Sequence, residues 1–165
     1  MANVDSAFGF LPTPLLRSRP YTSGGGSTAT FIGDVMAADG NGDVDPAAAT
    51  SIEIIGSSLT YLEASGTGTQ VIADHPDQEF HAQDDGQGTV ATTLIFGNAD
   101  HVATAGSTVT KKSKHELDGS TFASSAAGFR LLDLVDNPDS AVADFAIWRC
   151  VCVEHHLTTP TSAGL

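Results

Sequence analysis

Three short segments carry side chains that could bind a metal ion. In the first, residues 39–45, oxygen-bearing side chains stand at alternate positions, as in a loop that wraps calcium. A complete EF-hand loop has glycine at its sixth position and a bidentate glutamate at its twelfth, but Val44 and Thr50 stand there. The segment therefore favours an Asp- and Gly-rich turn between two strands, with calcium binding as the alternative.

The second segment is the run Glu154, His155 and His156, whose residue types bind zinc in many proteins. Consecutive residues of a strand point to opposite faces, so two adjacent histidines rarely share one ion. The other histidines show no spacing typical of a zinc site: His75, His81, His101 and His115. We therefore expect no metal and no other cofactor.

The third segment contains both cysteines, Cys150 and Cys152, in an apolar run that is typical of a strand. Cysteines two apart in a strand are poorly placed for a disulfide, which prefers Cα atoms about 5.5–6 Å apart and converging Cβ vectors. No second cysteine pair completes a metal site. We expect two reduced packing residues, with a metal or redox role as the alternative.

The sequence contains no recognisable catalytic motif. It contains no G-x-S-x-G pattern, and the glycines at 24–26 lack the preceding strand and the lysine of a phosphate loop. A Ser/His/Asp site could still assemble in three dimensions, and 20 acidic residues make a chance carboxylate pair possible. Aromatic residues, which supply sugar-binding platforms, make up only 7%. We expect a protein that is not an enzyme.

The composition is strongly acidic, which bears on the choice of partner. Seven Lys and Arg against 20 Asp and Glu give a formal net charge of −13. Such a charge repels nucleic acid and anionic membranes, so neither is an expected partner. Mean hydropathy is +0.01, and no apolar run approaches the roughly 20 residues of a membrane helix. With Asp5 where a signal peptide carries basic residues, we expect a soluble protein that is not secreted.

The pattern of short apolar segments and Gly-, Asp-, Asn- and Ser-rich turns is typical of an all-β domain. A length of 165 residues fits one domain. Strands are expected at 28–36, 51–63, 79–81, 89–95, 128–134 and 143–154. The best helix candidates, 94–102 and 123–126, lack an amphipathic stripe. Trp148, Ile147 and Val151 are expected in the core.

The first 30 residues lack any helical or strand period, and they contain three prolines followed by the Gly- and Ser-rich stretch 23–27. They predict an extended N-terminal arm, residues 1–27, before a β-barrel domain at 28–157 and a flexible tail at 158–165. A proline-rich arm loses little entropy on docking. Its apolar side chains need a surface, on the same chain or on a neighbouring subunit: Phe8, Phe10, Leu11, Leu15 and Leu16.

The one basic cluster is formed by Lys111, Lys112 and Lys114, with His115 beside them. It is either a solvated loop or a patch that docks onto an acidic surface of a shell protein or a sister subunit. In the second case it would set register and association rate more than affinity.

Several segments at both ends and in the C-terminal half are similar to those of a known protein family: residues 2–5, 8–12, 98–100, 105–108, 116–118, 129–139 and 154–155. Together they resemble the small virion structural proteins of tailed phages that decorate or cement the head. The resemblance implies an all-β fold with a single β-barrel or jelly-roll-like domain, often trimeric, at junctions between capsomers. It brings no catalytic residues. Residues 39–87 depart most from the pattern.

The resemblance implies a structural virion protein that binds the outer surface of a tailed-phage capsid and cements neighbouring major capsid protein subunits. Its partners would be the major capsid protein and itself, as a homotrimer, after synthesis in the host cytoplasm. Residues 3–19 would lie on neighbouring subunits, because an extended apolar segment can add to an exposed sheet edge. The expected contact residues are Phe8, Phe10, Leu15, Leu16, Lys111, Lys112 and Lys114. The alternatives are a tail or fibre component, and a carbohydrate-binding or carbohydrate-degrading module on the virion.

Overall fold

The computed structural model describes residues 3–24, 28–49, 51, 53–122, 128–135 and 141–157. The protein is all-β, and 38% of these described residues are in strands and 4% are helical. Its strands are β1 (Leu11–Pro12), β2 (Arg19–Thr22), β3 (Val35–Ala38), β4 (Val44–Pro46), β5 (Ile54–Ser58), β6 (Thr69–Ala73), β7 (Glu79–Gln83), β8 (Asn98–Ala99), β9 (His101–Val102), β10 (Glu116–Leu117), β11 (Phe129–Leu134) and β12 (Ile147–Cys152). Two 3₁₀ turns lie at Thr92–Leu94 and Gly119–Thr121.

The strands form two five-stranded antiparallel sheets that pack as a sandwich. The first sheet has the order β1-β7-β12-β11-β8, and the second has the order β2-β6-β5-β3-β4. Strands β9 and β10 form a separate antiparallel pair. In the part of the chain that is described, the sheets do not close into a barrel. No helix in that part is long and apolar enough to cross a membrane.

Strand β12 shows how the alternation of side chains builds the core. Trp148, Cys150 and Cys152 point into the space between the sheets, where they are 0%, 0% and 6% exposed. Ile147 and Val151 lie on the opposite, half-buried face. The prediction that these two residues belong to the core is therefore wrong. Both cysteines are free and pack in the core, and burial raises the pKa of both thiols, that of Cys152 to about 12.

The predicted acidic turn is present and joins β3 to β4. The Asp39 carboxylate closes it by accepting hydrogen bonds at Oδ1 from the N–H groups of Asn41 (2.9 Å) and Asp43 (3.2 Å). These bonds, led by the one from Asn41, hold the pKa of Asp39 below its usual value. The carboxylate therefore has a structural task within the hairpin.

Other predicted elements differ from the structure. Residues 89–95 were expected as a strand but contain the 3₁₀ turn Thr92–Leu94, and the helix expected at 94–102 is replaced by β8 and β9. Strands β1, β2, β4, β6 and β10 lie outside the predicted strand ranges. The helix candidate at 123–126 and the tail at 158–165 lie outside the described residues.

Candidate interaction sites

The N-terminal arm begins on the outer face of the first sheet and is held there by polar side chains. The Gln83 side chain donates from Nε2 to the Val4 carbonyl (2.8 Å) and accepts at Oε1 from the Ser6 N–H (2.9 Å). At Asn3, Oδ1 accepts from the Ala141 N–H (2.7 Å). Further along the arm, β1 pairs with β7 and β2 pairs with β6. Residues 3–24 thus lie along their own domain, which is one of the two surfaces expected for the arm, and they pair with both sheets of the sandwich.

Phe10, one of the expected contact residues, lies in the core. Its ring centroid is 4.5 Å from that of Phe129 and 6.4 Å from that of Phe80. Its N–H donates to the Gly33 carbonyl (2.8 Å), and its own carbonyl accepts from the Ser57 hydroxyl (2.6 Å). With 0% of its surface exposed, Phe10 cannot serve as an exposed anchor in this structure.

The glycine before Phe10 explains this burial. Gly9 has a φ of 81°, and a Cβ there would lie 2.5 Å from the Cβ of Ser113 and 2.6 Å from the Gly33 carbonyl oxygen. Only glycine lets the chain pass this close and turn inward. The sequence signal was the glycine between Phe8 and Phe10. Phe8 itself is half-buried and lines a groove of about 380 Å³ on the outer face of the first sheet.

Leu15 and Leu16 are exposed, at 49% and 51% of their surface, although their backbone is firmly held. The buried Gln78 side chain donates from Nε2 to the Pro14 carbonyl (2.7 Å) and to the Glu79 carbonyl (2.7 Å). Its Oε1 accepts from the Leu16 N–H (2.8 Å). A rigid backbone thus presents two apolar side chains to solvent.

Buried Asp74 fixes the backbone that follows the two leucines. Its carboxylate accepts from Arg17 Nε (2.8 Å) and from the Tyr21 hydroxyl (2.6 Å), and its carbonyl accepts from the Arg17 guanidinium (2.7 Å). Burial alone would raise the pKa of Asp74, but the bonds from Arg17 and Tyr21 outweigh it, so the pKa is lowered. Burial and the bond to Asp74 raise the pKa of Tyr21 to about 12. The Asp74 carboxylate therefore stays ionised and holds the side chains of Arg17 and Tyr21 in place.

The three lysines of the basic cluster have different environments. The Ile32 N–H donates to the Lys111 carbonyl (3.0 Å), which holds this segment against the loop that precedes β3. Lys111 is half-buried, and its Nζ lies 4.0 Å from the centroid of the Tyr61 ring, a cation–π contact within the chain. Lys112 and Lys114 are exposed and remain accessible to a partner.

The two most exposed large apolar side chains of the described residues were not anticipated from the sequence: Phe96, at 76%, and Val109, at 89%. Phe96 lies in a turn closed by the Gly97 N–H, which donates to the Leu94 carbonyl (2.8 Å). Its φ of 69° is a turn conformation usually taken by glycine. The Phe96 N–H also donates to the Leu131 carbonyl (2.8 Å), which ties the turn to β11. The turn therefore holds an aromatic ring out into solvent.

A buried polar cluster contains Asp34, His101 and His115, which are 2%, 1% and 4% exposed. His115 Nδ1 accepts from the Val35 N–H (3.2 Å), so the proton of the neutral ring is assigned to Nε2, which lies 3.5 Å from Asp34 Oδ1. His101 stacks on His115 with ring centroids 5.6 Å apart. Burial, aided by His101, lowers the pKa of His115 to about 3.

This cluster does not have the arrangement of a nucleophilic triad. The Ser113 hydroxyl accepts from the backbone N–H of His115 (2.9 Å) and is not bonded to its ring. Neither ring nitrogen of His115 can take a hydroxyl proton, because Nδ1 is bonded to the Val35 N–H and Nε2 already carries hydrogen. Serine activation by His115 is therefore not supported.

The candidate metal ligands are not brought together. Among the described residues, no group of three or more His, Cys, Asp or Glu side chains could hold a metal ion. His155 is buried and His156 is half-buried, in keeping with their alternation along the chain. Burial lowers the pKa of His155.

Comparison with known proteins assigns no family. No family model matches the sequence, and no curated protein matches it. The sites that a partner could use are thus described from their own geometry. We refer to the following exposed side chains as the candidate contact residues: Leu15, Leu16, Phe96, Val109, Lys112 and Lys114.

Proposed function

We propose that this chain is a structural virion protein that binds the outer surface of a tailed-phage capsid and cements neighbouring major capsid protein subunits. The observation that carries the proposal is the exposed pair Leu15 and Leu16, held on a backbone that the buried Gln78 fixes. The sequence resemblance to head-decorating proteins supports the same conclusion. The contacts act in binding, and no bond-making step is involved.

The rigidity of the leucine pair favours docking. Fully burying a leucine contributes about 1.5–3 kcal/mol, so covering two half-exposed leucines contributes on the order of 2 kcal/mol per copy. Because the backbone is already ordered, little of this is lost to ordering on binding. A single contact of this size is weak, but contacts linked through one multivalent shell reinforce one another.

The charge distribution supports the same function. A net charge of −13 keeps free copies apart before assembly. Lys112 and Lys114 place exposed positive charge on this acidic chain, where they can meet an acidic patch of the shell. Such pairs set register and association rate more than affinity.

As part of the proposal, the sandwich is a jelly-roll-like module and the copies form a homotrimer. Two packed antiparallel sheets support the first part. The edge strands of the first sheet, β1 and β8, have only two residues each, so a neighbouring copy finds little backbone to pair with at this sheet. Contacts between copies then depend mainly on side chains.

The proposal is tested with a variant that introduces negative charge at the leucine pair. The double variant L15E/L16E should fold normally, because both side chains are exposed, and should lose at least tenfold in occupancy on capsids that lack the protein. The matched control A64E/T67E adds the same charge at an exposed turn and should bind like the parent chain. Full occupancy by L15E/L16E in a co-sedimentation assay would refute the proposed contact.

A further inference from the structure

A small pocket opens beside the buried Asp34 and His115. Its volume is about 180 Å³, and it lies between the end of β4 and the segments that flank β9 and β10. Apart from Thr28 at its rim, its other walls are apolar: Ala29, Phe31, Pro46, Ala47, Ala48, Ala103 and Ala105. Asp34 and His115 are the titratable residues of this lining. The pocket thus combines an apolar wall with one carboxylate.

One oxygen of the Asp34 carboxylate is not fully satisfied by hydrogen bonds within the protein. Asp34 Oδ2 accepts from the Phe31 N–H at 2.8 Å, whereas the buried Oδ1 has no partner with the distance and angle of a hydrogen bond, and the Ser113 hydroxyl only partly offsets the burial of the carboxylate. The 3.5 Å from Oδ1 to His115 Nε2 is longer than a normal hydrogen bond. His115 is neutral, so it does not compensate the charge. A buried carboxylate without a compensating charge is unfavourable, and a cation supplied from outside would relieve it.

We propose that this pocket binds a primary alkylammonium group, with the ammonium at Asp34 Oδ1 and the alkyl stem along the alanine walls. The inference goes beyond the proposed capsid function and does not depend on it. The volume of the pocket equals that of about six liquid water molecules, which suits an ammonium group with a short alkyl stem.

Other cations fit the same atoms less well. A transition metal needs a lone pair on the imidazole, but His115 Nε2 carries hydrogen because Nδ1 accepts from the Val35 N–H. A guanidinium binds best to both oxygens of a carboxylate, but Asp34 Oδ2 is already bonded to the Phe31 N–H. An ammonium is a compact point donor and needs only one free oxygen.

The test is a titration of the full chain with n-butylammonium chloride, followed by NMR of the His115 imidazole signals. Saturable shifts are expected, and they should be absent with tetramethylammonium at the same ionic strength, because that ion has no N–H donor. Linear, non-saturating shifts, or equal shifts with both ions, would overturn the proposal.

Two variants locate the site. Asp34→Asn removes the charge and should abolish the saturable shifts, and Ala105→Leu at the exposed rim should do the same by filling the mouth. Ala64→Leu, at an exposed turn away from the lining, is the matched control and should bind like the parent chain. If D34N does not fold, A105L decides the result. Unchanged binding by A105L would contradict the assigned pocket.

A second ligand identifies the source of the ammonium group. Nα-acetyl-lysine methylamide carries the same group on a peptide backbone. Saturable binding of this compound would support a lysine side chain of a protein partner. Binding of butylammonium alone would support a free amine, and binding of neither compound would refute the proposal.

Discussion

Gln78 positions the exposed leucines through three hydrogen bonds to residues that stand before or after it. It is 1% exposed, and its amide contacts the backbone of Pro14, Leu16 and Glu79 at 2.7–2.8 Å. Asp74 and Gln83 have comparable roles at other points of the first 24 residues. Buried polar side chains of β7 and its approach thus set the course of the N-terminal segment.

At the scale of this residue, we expect Gln78→Ala to lower the free energy of unfolding by about 2 kcal/mol, because buried hydrogen bonds are lost without replacement. Urea denaturation measures this change. Hydrogen exchange at the Leu16 amide should accelerate more than exchange in β12. The exposed Gln87→Ala is the matched control and should change neither quantity. Equal stability of Q78A and the parent chain would remove the basis for a rigid leucine pair.

Asp34 gives a pH-dependent prediction. Burial raises its pKa to about 6, from an ordinary value of 3.8, against smaller opposing effects of Ser113 and the Phe31 N–H. A raised pKa in the folded state means that the stability contribution is present below pH 3.8 and is lost as the pH rises through 6. The loss is at most about 3 kcal/mol.

Asp34→Asn resembles the protonated carboxyl and should therefore be more stable than the parent chain at pH 8, with little difference at pH 3.5. Denaturation of both proteins at each pH measures this. His115 also has a lowered pKa, so both proteins lose stability as the pH falls from 6.5 towards 3. Because this loss is the same in both proteins, it cancels in the comparison. A D34N protein that is less stable at pH 8 would show that the carboxylate is stabilising.

At the scale of elements, the turn that carries Phe96 has a residue poorly suited to its backbone. A positive φ at a non-glycine residue costs on the order of 1 kcal/mol or more. Because Phe96 is 76% exposed, removing its ring loses little packing. We expect Phe96→Gly to keep or raise the melting temperature.

The same change at a packed ring is the control. Phe122 contacts Trp148 with ring centroids 5.8 Å apart, so Phe122→Gly should lower stability by at least about 2 kcal/mol. Differential scanning calorimetry compares the two variants. A large loss of stability in F96G would mean that its ring has packing partners and is not a candidate contact residue.

The elements differ in how far the sequence predicts them. The apolar run predicted β12, although Ile147 and Val151 were wrongly assigned to its buried face. Strand β6 was missed because Gln70 interrupts its apolar pattern. Gln70 is fully buried, and its Oε1 accepts from the hydroxyls of Thr60 (2.7 Å) and Ser58 (3.1 Å). Such cross-strand partners are not visible along the chain. Strand β2 was missed because it contains Pro20, which an edge strand tolerates.

The contact residues also differ in how far the sequence predicts their exposure. Leu15 and Leu16 could be predicted as exposed apolar residues, since they belong to no strand period. The burial of Phe10 depends on the close passage at Gly9, and the exposure of Phe96 depends on a positive φ. Neither is encoded in a local hydrophobic pattern.

At the scale of the whole molecule, the sandwich combines a packed interior with a few separate exposed contacts. Leu15 and Leu16 follow one edge strand of the first sheet, β1, and Phe96 precedes the other, β8. A molecule with contacts at opposite edges can touch more than one neighbour. This arrangement suits a protein that links repeated subunits.

The most direct test of the proposed function is the copy number of this chain in purified particles. Quantitative protein staining, calibrated with the purified chain, gives its molar ratio to the major capsid protein. We predict a ratio near one, because a cementing protein occupies sites repeated over the whole shell. A handful of copies per particle, as expected for a tail or fibre component, would contradict the proposal.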